Sequence, residues 1–306
     1  MSVDISYKWF GLILFGWIAA VAHSAEGGYS NYLPGTYGDF AVAVAPTTEL
    51  TLRSDLYTYR ADSEQSVRSG QIEIGADLEL DVNLLTLLYT PNVKVFGAQY
   101  GVGTVIPVVH ADIEANLGGL IASDHDTGLG DTTFIPMILF WNSNNYHFTL
   151  GEYIVTPTGG YDSDALINTS LNYWTFDTNV AMTYLNLETG QDYAINVGYA
   201  YNTQNDKTDY QTGEEIHIDY MLNQFLSETF AIGLHGFYLD QVTGDSGNGA
   251  LLGGFKAQAA GVGPALLWTS RVREQDISLI AKWLHEYDSE NRMEGDHLFL
   301  SFALSL

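Results

Sequence analysis

The chain has 306 residues, no cysteine, 11 Lys and Arg against 37 Asp and Glu, and a formal net charge of -26 at pH 7. The lack of cysteine excludes disulfides, thiolate metal ligands and cysteine nucleophiles, and the acidic charge excludes nucleic acid as a favoured partner, because phosphate binding depends on Lys and Arg. Since 46% of the residues are hydrophobic, the chain can bury a large core or lipid-facing surface and is not predicted to be disordered.

The first 25 residues have the features of an export signal. An uncharged apolar run of 14 residues extends from Trp9 to Ala22, with Lys8 before it and small residues after it. A membrane-spanning helix needs about 20 apolar residues, so this run is short for an anchor, and its flanks are those of a cleaved signal peptide. We therefore predict that residues 1–25 are removed, with cleavage after Ser24 or after Ala25.

Residues 26–48 form a separate region before the first predicted strand. The region is rich in Gly and Pro, and it also contains aromatic and apolar side chains: Tyr29, Tyr32, Leu33, Tyr37 and Phe40. A free tail would gain nothing from exposing these side chains to water. The region is either a disordered periplasmic tail or a segment that folds into the interior as a plug, and the burial argument favours the plug.

From residue 49 onward, apolar and polar residues alternate with a period of two, which is typical of β-strands. In the clearest example, Gln71 to Leu84, aliphatic residues occupy one face and four carboxylates share the other. Gly, Asn, Asp and Pro clusters divide the chain. The predicted strands, twelve in all, lie near 49–60, 71–89, 93–118, 130–141, 145–157, 172–186, 192–203, 214–224, 229–241, 256–270, 276–287 and 296–306.

The connections between these strands alternate between long and short. Tight turns then lie at one end of the sheet and large loops at the other, as in outer-membrane barrels with an even number of strands. Most of the strands exceed the usual length of about 5 to 6 residues in globular sheets. Aromatic residues gather near strand ends, as in interfacial girdles: Tyr57, Tyr59, Tyr89, Tyr146, Trp174, Trp268 and Tyr287 are examples.

These features predict an all-β fold, a transmembrane antiparallel up-and-down β-barrel of about 12 strands over residues 49–306. A secreted β-sandwich is the soluble alternative. In the third predicted strand the apolar residues change face at Pro107, from Ile106 and the even positions before it to Val109 and the odd positions after it. We interpret this change as a β-bulge.

The polar face of the long strands is predicted to line the barrel interior. The candidate residues are Glu73, Asp77, Glu79, Asp81, His110, Asp112 and Glu114, together with His217 and Asp219 on a later strand. Rings of charged side chains set the selectivity of other pores, and acidic ones would repel anions and admit neutral or cationic solutes. In the simpler interpretation, favoured for any single residue, these side chains are only the water-facing half of amphipathic strands.

Few residues suggest a catalytic or metal-binding role. Gly244-Asp245-Ser246-Gly247 resembles the surroundings of a serine-protease nucleophile, but these are also common loop residues and no motif supplies a histidine base. Divalent cations could bridge the acidic loops to lipopolysaccharide, yet none of the loops has the spacing of a calcium-binding loop. We therefore predict no catalytic residue, no cofactor and no specific metal site.

Several segments resemble the family named for a meta-pathway of phenol degradation. The segments are TPTGGYD at Thr156 to Asp162, DYQTGEEIHID at Asp209 to Asp219, GFYLDQVTGDSGNGA at Gly236 to Ala250, GVGPAL at Gly261 to Leu266 and KWLHEYDSENRMEG at Lys282 to Gly295. EGGYSNYLPGTYGDF, at Glu26 to Phe40, also looks like the family's mature N-terminus. Residues 60–150 contribute little to the resemblance, and Leu306 departs from the terminal Phe or Trp common in outer-membrane barrels.

The resemblance implies a channel of the bacterial outer membrane that is associated with uptake of aromatic or other hydrophobic compounds. We expect passive uptake of such molecules, with outer-membrane lipid, lipopolysaccharide and the solute itself as partners. The alternatives are a barrel enzyme that acts on lipids and a structural barrel without an open pore. The identity of the solute, the gating event and the oligomeric state do not follow from the sequence.

Overall fold

The computed structural model describes residues 29–47, 49–67, 72–117, 120–250, 253–273 and 275–306. The predicted signal peptide and the start of the region 26–48 lie outside the described residues. In the part of the chain that is described, we find no helical segment with the length and apolar composition that crossing a bilayer requires.

The strands follow an N-terminal segment of turns and bends. They are β1 (Leu50–Val67), β2 (Ile72–Tyr89), β3 (Lys94–Val95), β4 (Ala98–Leu117), β5 (Leu120–Leu129), β6 (Thr133–Ser143), β7 (Tyr146–Val155), β8 (Thr175–Asn186), β9 (Gln191–Asn202), β10 (Glu215–Ser227), β11 (Phe230–Gln241), β12 (Gln258–Val272), β13 (Gln275–Glu290) and β14 (Glu294–Ser305).

Twelve of the described strands close into an antiparallel barrel. From β6 to β14 each strand pairs with the next, β14 pairs with β1, β1 with β2, β2 with β4 and β4 with β6. The predicted up-and-down barrel and its strand number are thus confirmed. β5, in a stretch predicted as a loop, pairs with the half of β4 that extends past β6. The short β3 pairs with the start of β4.

The two ends of the barrel differ. β1 begins and β14 ends at one end, which we call the terminal end, and short connections such as 144–145 and 187–190 lie there. Asn144 (φ 53°) and Gly190 (φ 72°) adopt left-handed backbone conformations in these turns, which Asn and Gly tolerate. The opposite, loop end carries the long connections 156–174, 203–214 and 242–257.

The outward face of the barrel carries an apolar belt. Its exposed aliphatic side chains include Val180, Met182, Ile195, Val197, Leu222, Ile232, Leu234, Leu266 and Leu300. Exposed aromatic rings flank them near the terminal end (Tyr146, Tyr193, Trp268) and near the loop end (Trp174, Tyr201, Tyr287). A belt between two aromatic girdles is the surface that a lipid bilayer requires of a β-barrel.

β2 changes its outward chemistry along its length. Toward the terminal end its outward side chains are apolar and exposed: Leu85, Leu87 and Tyr89. Toward the loop end the same face is acidic: Asp77, Glu79 and Asp81. In that part of β2, the side chains of the opposite face are buried in the larger apolar cluster; they are Leu78, Leu80 and Val82. The register with β1 is continuous along the strand, so the apolar residues change face because the strand leaves the belt.

The change of face at Pro107 on β4 has the same cause. β4 keeps one register with β2 from Val102 to Leu117, and the bulge that we predicted at Pro107 is therefore wrong for this pair. Ile106 and Val108 are exposed in the belt, whereas Val109 is buried in the core beyond it. A register shift does occur on β4, but it lies between Gly101 and Gly103 in the pairing with β6.

Two apolar clusters fill the interior. The larger one lies in the loop-end half and joins residues of β1, β2, β4 and β11 to β14 with Tyr32 of the N-terminal segment and Ile167 of the connection 156–174. The smaller one lies toward the terminal end around Phe40 and includes Ala231, Ala265 and Ile280. The N-terminal segment therefore contributes a side chain to each cluster.

Candidate functional site

Residues 29–47, the N-terminal segment, contact the inward faces of the barrel strands. The Tyr29 hydroxyl donates to the backbone oxygen of Asn168, 3.1 Å away at the loop end, and the Ala43 N–H donates to Thr183 Oγ1, 3.1 Å away toward the terminal end. Within this described range there is no β-strand. The segment therefore extends along the interior and is held by turns and side-chain contacts.

The middle of the segment meets three wall residues in what we call the central cluster: Tyr32, Tyr37, Asp177, His217 and Asp219. The Tyr32 hydroxyl donates to Asp219 Oδ2 at 3.0 Å, and the Tyr37 hydroxyl donates to Asp177 Oδ2 at 2.8 Å. The His217 ring stacks on Tyr32, with centroids 4.0 Å apart and planes within 15°, and on Tyr37 at 5.2 Å and 16°. His217 Nε2 lies 3.0 Å from Asp177 Oδ1.

A glycine on β9 makes this arrangement possible. β9 lies between β8, which carries Asp177, and β10, which carries His217 and Asp219, and Gly198 is the register partner of His217. A Cβ atom at Gly198 would lie 2.1 Å from His217 Cε1 and Nε2. Only a residue without a side chain lets the imidazole lie across β9 and reach the carboxylate on the next strand.

The central cluster has unused hydrogen-bonding capacity. His217 and Asp219 are both 0% exposed. Among the described residues, His217 Nδ1 and Asp219 Oδ1 have no hydrogen-bond partner. Buried polar atoms without a partner cost about 1–3 kcal/mol, so the wall holds acceptors and donors that the tyrosines do not satisfy.

Basic side chains hold the same segment. Lys282 Nζ donates to the backbone oxygens of Gly35 and Gly38, both at 2.6 Å, and lies 4.2 Å from the centroid of the Phe299 ring. Arg53 forms an ion pair with Asp39 of the segment and another with Asp55 on its own strand. Two positive charges from the wall thus fix the chain around residues 35–39.

Toward the terminal end the segment contacts β9 and β11. The Ala41 N–H donates to Asp192 Oδ2 at 2.8 Å, and the ring of Phe40 lies 5.1 Å from that of His235. On β13, Ile280 packs in the Phe40 cluster, and the residues nearer the terminal end line a cavity of about 520 Å³. Its polar lining includes Thr269, Arg271, Asp276, Ser278 and Ser305.

A second Tyr–His–carboxylate group lies near the loop end. Tyr59 stacks on His297 with centroids 4.4 Å apart and donates to Glu286 Oε2 at 3.0 Å, and Tyr57 Oη lies 2.8 Å from His297 Nδ1. Burial by itself lowers the pKa of Arg292, in the turn after β13, but the charges of Glu286 and other acidic groups outweigh it and raise the pKa. Tyr57 and Tyr59 are 2% and 3% exposed, so their predicted place in an interfacial girdle is wrong.

The candidate residues on β2 and β4 lie on the outward face. These residues are Asp77, Glu79, Asp81, His110, Asp112 and Glu114. The expectation that they line the interior is wrong, because both strands extend past the apolar belt and turn their aliphatic faces into the core. Arg60 pairs with Glu79 and Asp81 at 3.3 and 2.9 Å. The side chain of Glu73 lies outside the described residues.

His217 and Asp219 lie on the inward face, where the sequence predicted them. The structure brings them together with Asp177, which the prediction omitted. The sequence does contain a signal for Asp177. Thr175, Asp177 and Asn179 form a polar row with a period of two, like the rows from which the interior candidates were chosen. Arg53 was not predicted to contact the segment although it begins the polar run Arg53-Ser54-Asp55, and Lys282 was missed because it stands between apolar neighbours.

The Gly244–Gly247 motif serves as a loop connection. The Asp245 carboxylate accepts hydrogen bonds from the Tyr210 hydroxyl at 2.5 Å, from the Gly213 N–H at 3.0 Å and from Gln241 Nε2 at 2.7 Å. Ser246 is exposed and pairs through its backbone with Gln211. These bonds join the connections 203–214 and 242–257, which favours a structural role for the motif.

The closed barrel and its outward apolar belt define a membrane-spanning β-barrel protein. The family model described as "Putative MetA-pathway of phenol degradation" matches residues 58–302, and the chain belongs to this family. The resemblance found in the sequence is thus confirmed. No curated protein matches the sequence.

Comparison with solved structures found outer-membrane proteins at different degrees of similarity. The structure is similar to the COG4313 outer membrane channel from Pseudomonas putida F1, with a TM-score of 0.68 and 14% identity over 89% of this chain and 99% of that one. A FadL homologue from Pseudomonas aeruginosa aligns with a TM-score of 0.40 and 6% identity over 92% of this chain and 95% of that one. At this identity the first likeness establishes the barrel fold.

Proposed function

We propose that the protein is an outer-membrane channel for passive uptake of hydrophobic or aromatic small molecules. Family membership and the fold it shares with a bacterial outer membrane channel support this role, and the apolar belt suits contact with lipid. The terminal end faces the periplasm and the loop end faces the lipopolysaccharide, since short turns are periplasmic and long loops extracellular in such barrels. The predicted export signal agrees with this location.

The observation that carries the proposal is the way in which the N-terminal segment is attached. Its described contacts with the wall are hydrogen bonds, ion pairs, ring contacts and apolar packing, for example at Tyr32, Tyr37, Asp39, Phe40 and Ala41. Strand pairing holds the barrel together and does not include the segment. The segment can therefore leave the interior without breaking the barrel, which supports a plug over residues 26–48 that opens and closes a path.

The charges around the path favour neutral solutes. The inward carboxylates of Asp55, Asp177 and Asp219 outnumber the inward cations near them, and further acidic residues face outward at the loop end. A surplus of negative charge repels anions and tolerates neutral or cationic molecules. We therefore propose that neutral aromatic compounds pass more readily than aromatic acids.

Conductance of the purified protein in planar bilayers tests the channel. We expect small or infrequent currents from the full mature chain and larger currents after deletion of residues 29–47, because the deletion removes the material in the path. Heat-modifiable mobility on gels would establish that both proteins hold a folded barrel. Equal currents from both would contradict the plug, and the lack of current from both would favour the structural barrel.

Uptake by cells tests the solute. Cells with and without the gene would receive a labelled neutral aromatic compound and, as a matched comparison, its carboxylate analogue. We expect the gene to increase uptake of the neutral compound much more than that of the acid. Equal uptake of the neutral compound in both strains would contradict the proposed solute class.

A further inference from the structure

We infer that Asp177, His217 and Asp219 form a binding site for phenols, and that Tyr32 and Tyr37 occupy this site as internal stand-ins while the path is closed. The inference rests on the proposed function, because it requires the N-terminal segment to leave the interior. It adds the chemical class of the ligand and a reason for the segment to move.

The two tyrosines are held in the same manner. Beyond its Cβ atom, each side chain is a phenol whose hydroxyl donates to a carboxylate, Asp219 for Tyr32 and Asp177 for Tyr37. Each ring also stacks on the one imidazole of His217, and Tyr153 meets the ring of Tyr37 edge to face, with centroids 5.0 Å apart. A carboxylate acceptor beside a flat aromatic surface is a recognition site for any phenol that reaches it.

The recognising groups belong to the rigid part of the molecule. Asp177 lies on β8, and His217 and Asp219 lie on β10. His217 is oriented by Asp177 and by the close approach of Gly198, both of which are wall residues. The occupants lie on a segment without strand pairing in its described range. When the segment leaves, the site therefore remains formed.

The site also has capacity that the tyrosines leave unused. Asp219 Oδ1 is fully buried and has no hydrogen-bond partner among the described residues. The position of Tyr32 is restricted by its own backbone, because the Gly35 N–H donates to its hydroxyl at 3.2 Å. A free phenol has no such tether and can adjust to both carboxylate oxygens.

The chemistry of the site discriminates among aromatic compounds. An aromatic ring without a hydroxyl would leave the buried carboxylates without a donor, which is unfavourable. An aromatic acid would bring a like charge against Asp177 and Asp219. A phenol supplies a hydroxyl donor without a negative charge, and it competes directly with Tyr32 and Tyr37 for the carboxylates. Binding of the phenol that the channel passes therefore also favours release of the segment.

Fluorine NMR of the folded, full-length mature protein measures this competition, with 4-fluorophenol as the probe and fluorobenzene as its hydroxyl-free control. Tyr32→Phe keeps the ring but removes its bond to Asp219, so the segment competes less well and we expect 4-fluorophenol to bind about tenfold more tightly. Adding Asp219→Asn to Tyr32→Phe should reverse most of this gain, because the probe then loses its charged acceptor. Fluorobenzene should bind more weakly than 4-fluorophenol to both the wild-type and the Tyr32→Phe protein, and Asp219→Asn should not weaken its binding, because it has no hydroxyl to donate.

Tyr59→Phe is the matched control, since it also removes a buried tyrosine hydroxyl that donates to a carboxylate, but from the wall. We expect Tyr59→Phe to leave 4-fluorophenol binding unchanged. An equal gain from Tyr59→Phe and Tyr32→Phe would mean that binding follows general loosening and would overturn the inference. So would equal binding of 4-fluorophenol and fluorobenzene by the wild-type protein.

Thiol labelling measures release of the segment, since the chain has no cysteine of its own. Ala43 in the segment and Ala98 in the wall are both 0% exposed, and Ala98 belongs to neither of the apolar clusters that the segment joins. Each would be replaced in turn by cysteine. We expect 4-fluorophenol to accelerate labelling of the Ala43→Cys protein several-fold and to leave Ala98→Cys unlabelled. Acceleration at both positions or at neither would contradict competition for the site.

These results separate the inference from the proposed function. Phenol binding with segment release, but without conductance or uptake, would support the site and contradict the channel. Conductance that increases on deletion of residues 29–47, without selective phenol binding, would support the channel and contradict the site.

Discussion

At the scale of single residues, the interior depends on close approaches that tolerate no added atom. The imidazole of His217 lies against the backbone of Gly198, and it also contacts the Asp177 carboxylate and stacks on the Tyr32 ring. These contacts are short and buried, so a side chain added at Gly198 must move the residues around it.

Gly198→Ala tests this dependence. The new methyl group would overlap the His217 ring, so we expect the free energy of unfolding to fall by about 1–3 kcal/mol and the hydrogen bond between His217 and Asp177 to be lost. Urea unfolding of the detergent-solubilised protein, followed by circular dichroism, measures the change. Gly75→Ala is the control, because its Cβ would meet nothing closer than 3.9 Å, and equal losses from both variants would contradict the argument.

At the scale of single elements, the same face of one strand meets two environments. The outward face of β2 is apolar at Leu85 and Leu87 and acidic at Asp77 and Glu79. The register with β1 is unbroken, so only height along the barrel axis separates the two regions. The edge of the apolar belt on β2 therefore lies between Asn83 and Leu85.

A pair of lysine substitutions on β2 tests the position of this edge. Leu87→Lys places a charge in the belt and should lower the stability in lipid vesicles by about 2–4 kcal/mol. Asp77→Lys places the same charge on the same face beyond the belt and should leave the stability unchanged. The measurement is denaturant unfolding of the barrel in vesicles, and similar losses from the two variants would place both positions in the bilayer.

The connection 156–174 shows how a carboxylate can hold a loop. Asp131 accepts hydrogen bonds from the N–H groups of Gly159 at 3.0 Å and Leu171 at 2.9 Å, near the two ends of the loop. Asp124 and Asp126 on β5 accept from Leu166 and Thr169. Ile167 is thereby kept in the core cluster, at the loop end of the interior.

Asp131→Ala should release this connection. The buried N–H of Leu171 and the half-buried N–H of Gly159 would lose their acceptor. We expect limited proteolysis to cut within residues 156–174 at least several times faster, because cleavage follows the population of the opened loop. Mass spectrometry of the fragments locates the cuts. Asp164→Ala removes an exposed carboxylate from the same loop and should leave the rate unchanged; equal protection in both variants would contradict the role of Asp131.

At the scale of the whole molecule, closure of the barrel and filling of its interior are separate problems. The wall is closed by strand pairing from β1 round to β14. The interior is filled by a segment that precedes β1, and its tyrosines reach partners 187 and 140 residues away in sequence. Stability of the wall and opening of the path can therefore vary independently.

Lys282→Met tests this independence. The substitution removes both hydrogen bonds to the N-terminal segment, at Gly35 and Gly38, while the pairing of β13 with its neighbours is unchanged. Since a hydrogen bond to a charged group contributes about 1.5–3 kcal/mol and 1.4 kcal/mol corresponds to about tenfold, we expect channel openings in planar bilayers to become at least about tenfold more frequent. Lys207→Met, in an exposed loop, should have no effect, and unchanged openings in Lys282→Met would mean that Lys282 does not hold the segment.

Local patterns predicted the architecture well. Alternation with a period of two identifies strands from their own residues, and the stretches 145–157, 192–203 and 229–241 nearly coincide with β7, β9 and β11. β5 was missed because Asp124, Asp126 and Gly128 are residue types that are common in loops. These residues form a strand here because they pair with β4. The plug over residues 26–48 stays a prediction.

The sequence by itself determined that this chain is a barrel of amphipathic strands in the phenol-degradation family, because alternation, turn residues and family motifs are properties of neighbouring residues. Only the tertiary structure decided which face of a strand points inward. Alternation defines two faces but not their surroundings, and Leu80 is buried while Leu87 is exposed because the two lie at different heights relative to the belt. The contacts among Tyr32, Asp177 and Asp219 were likewise decided by the tertiary structure alone, because they depend on the register of three strands and on the path of a distant segment.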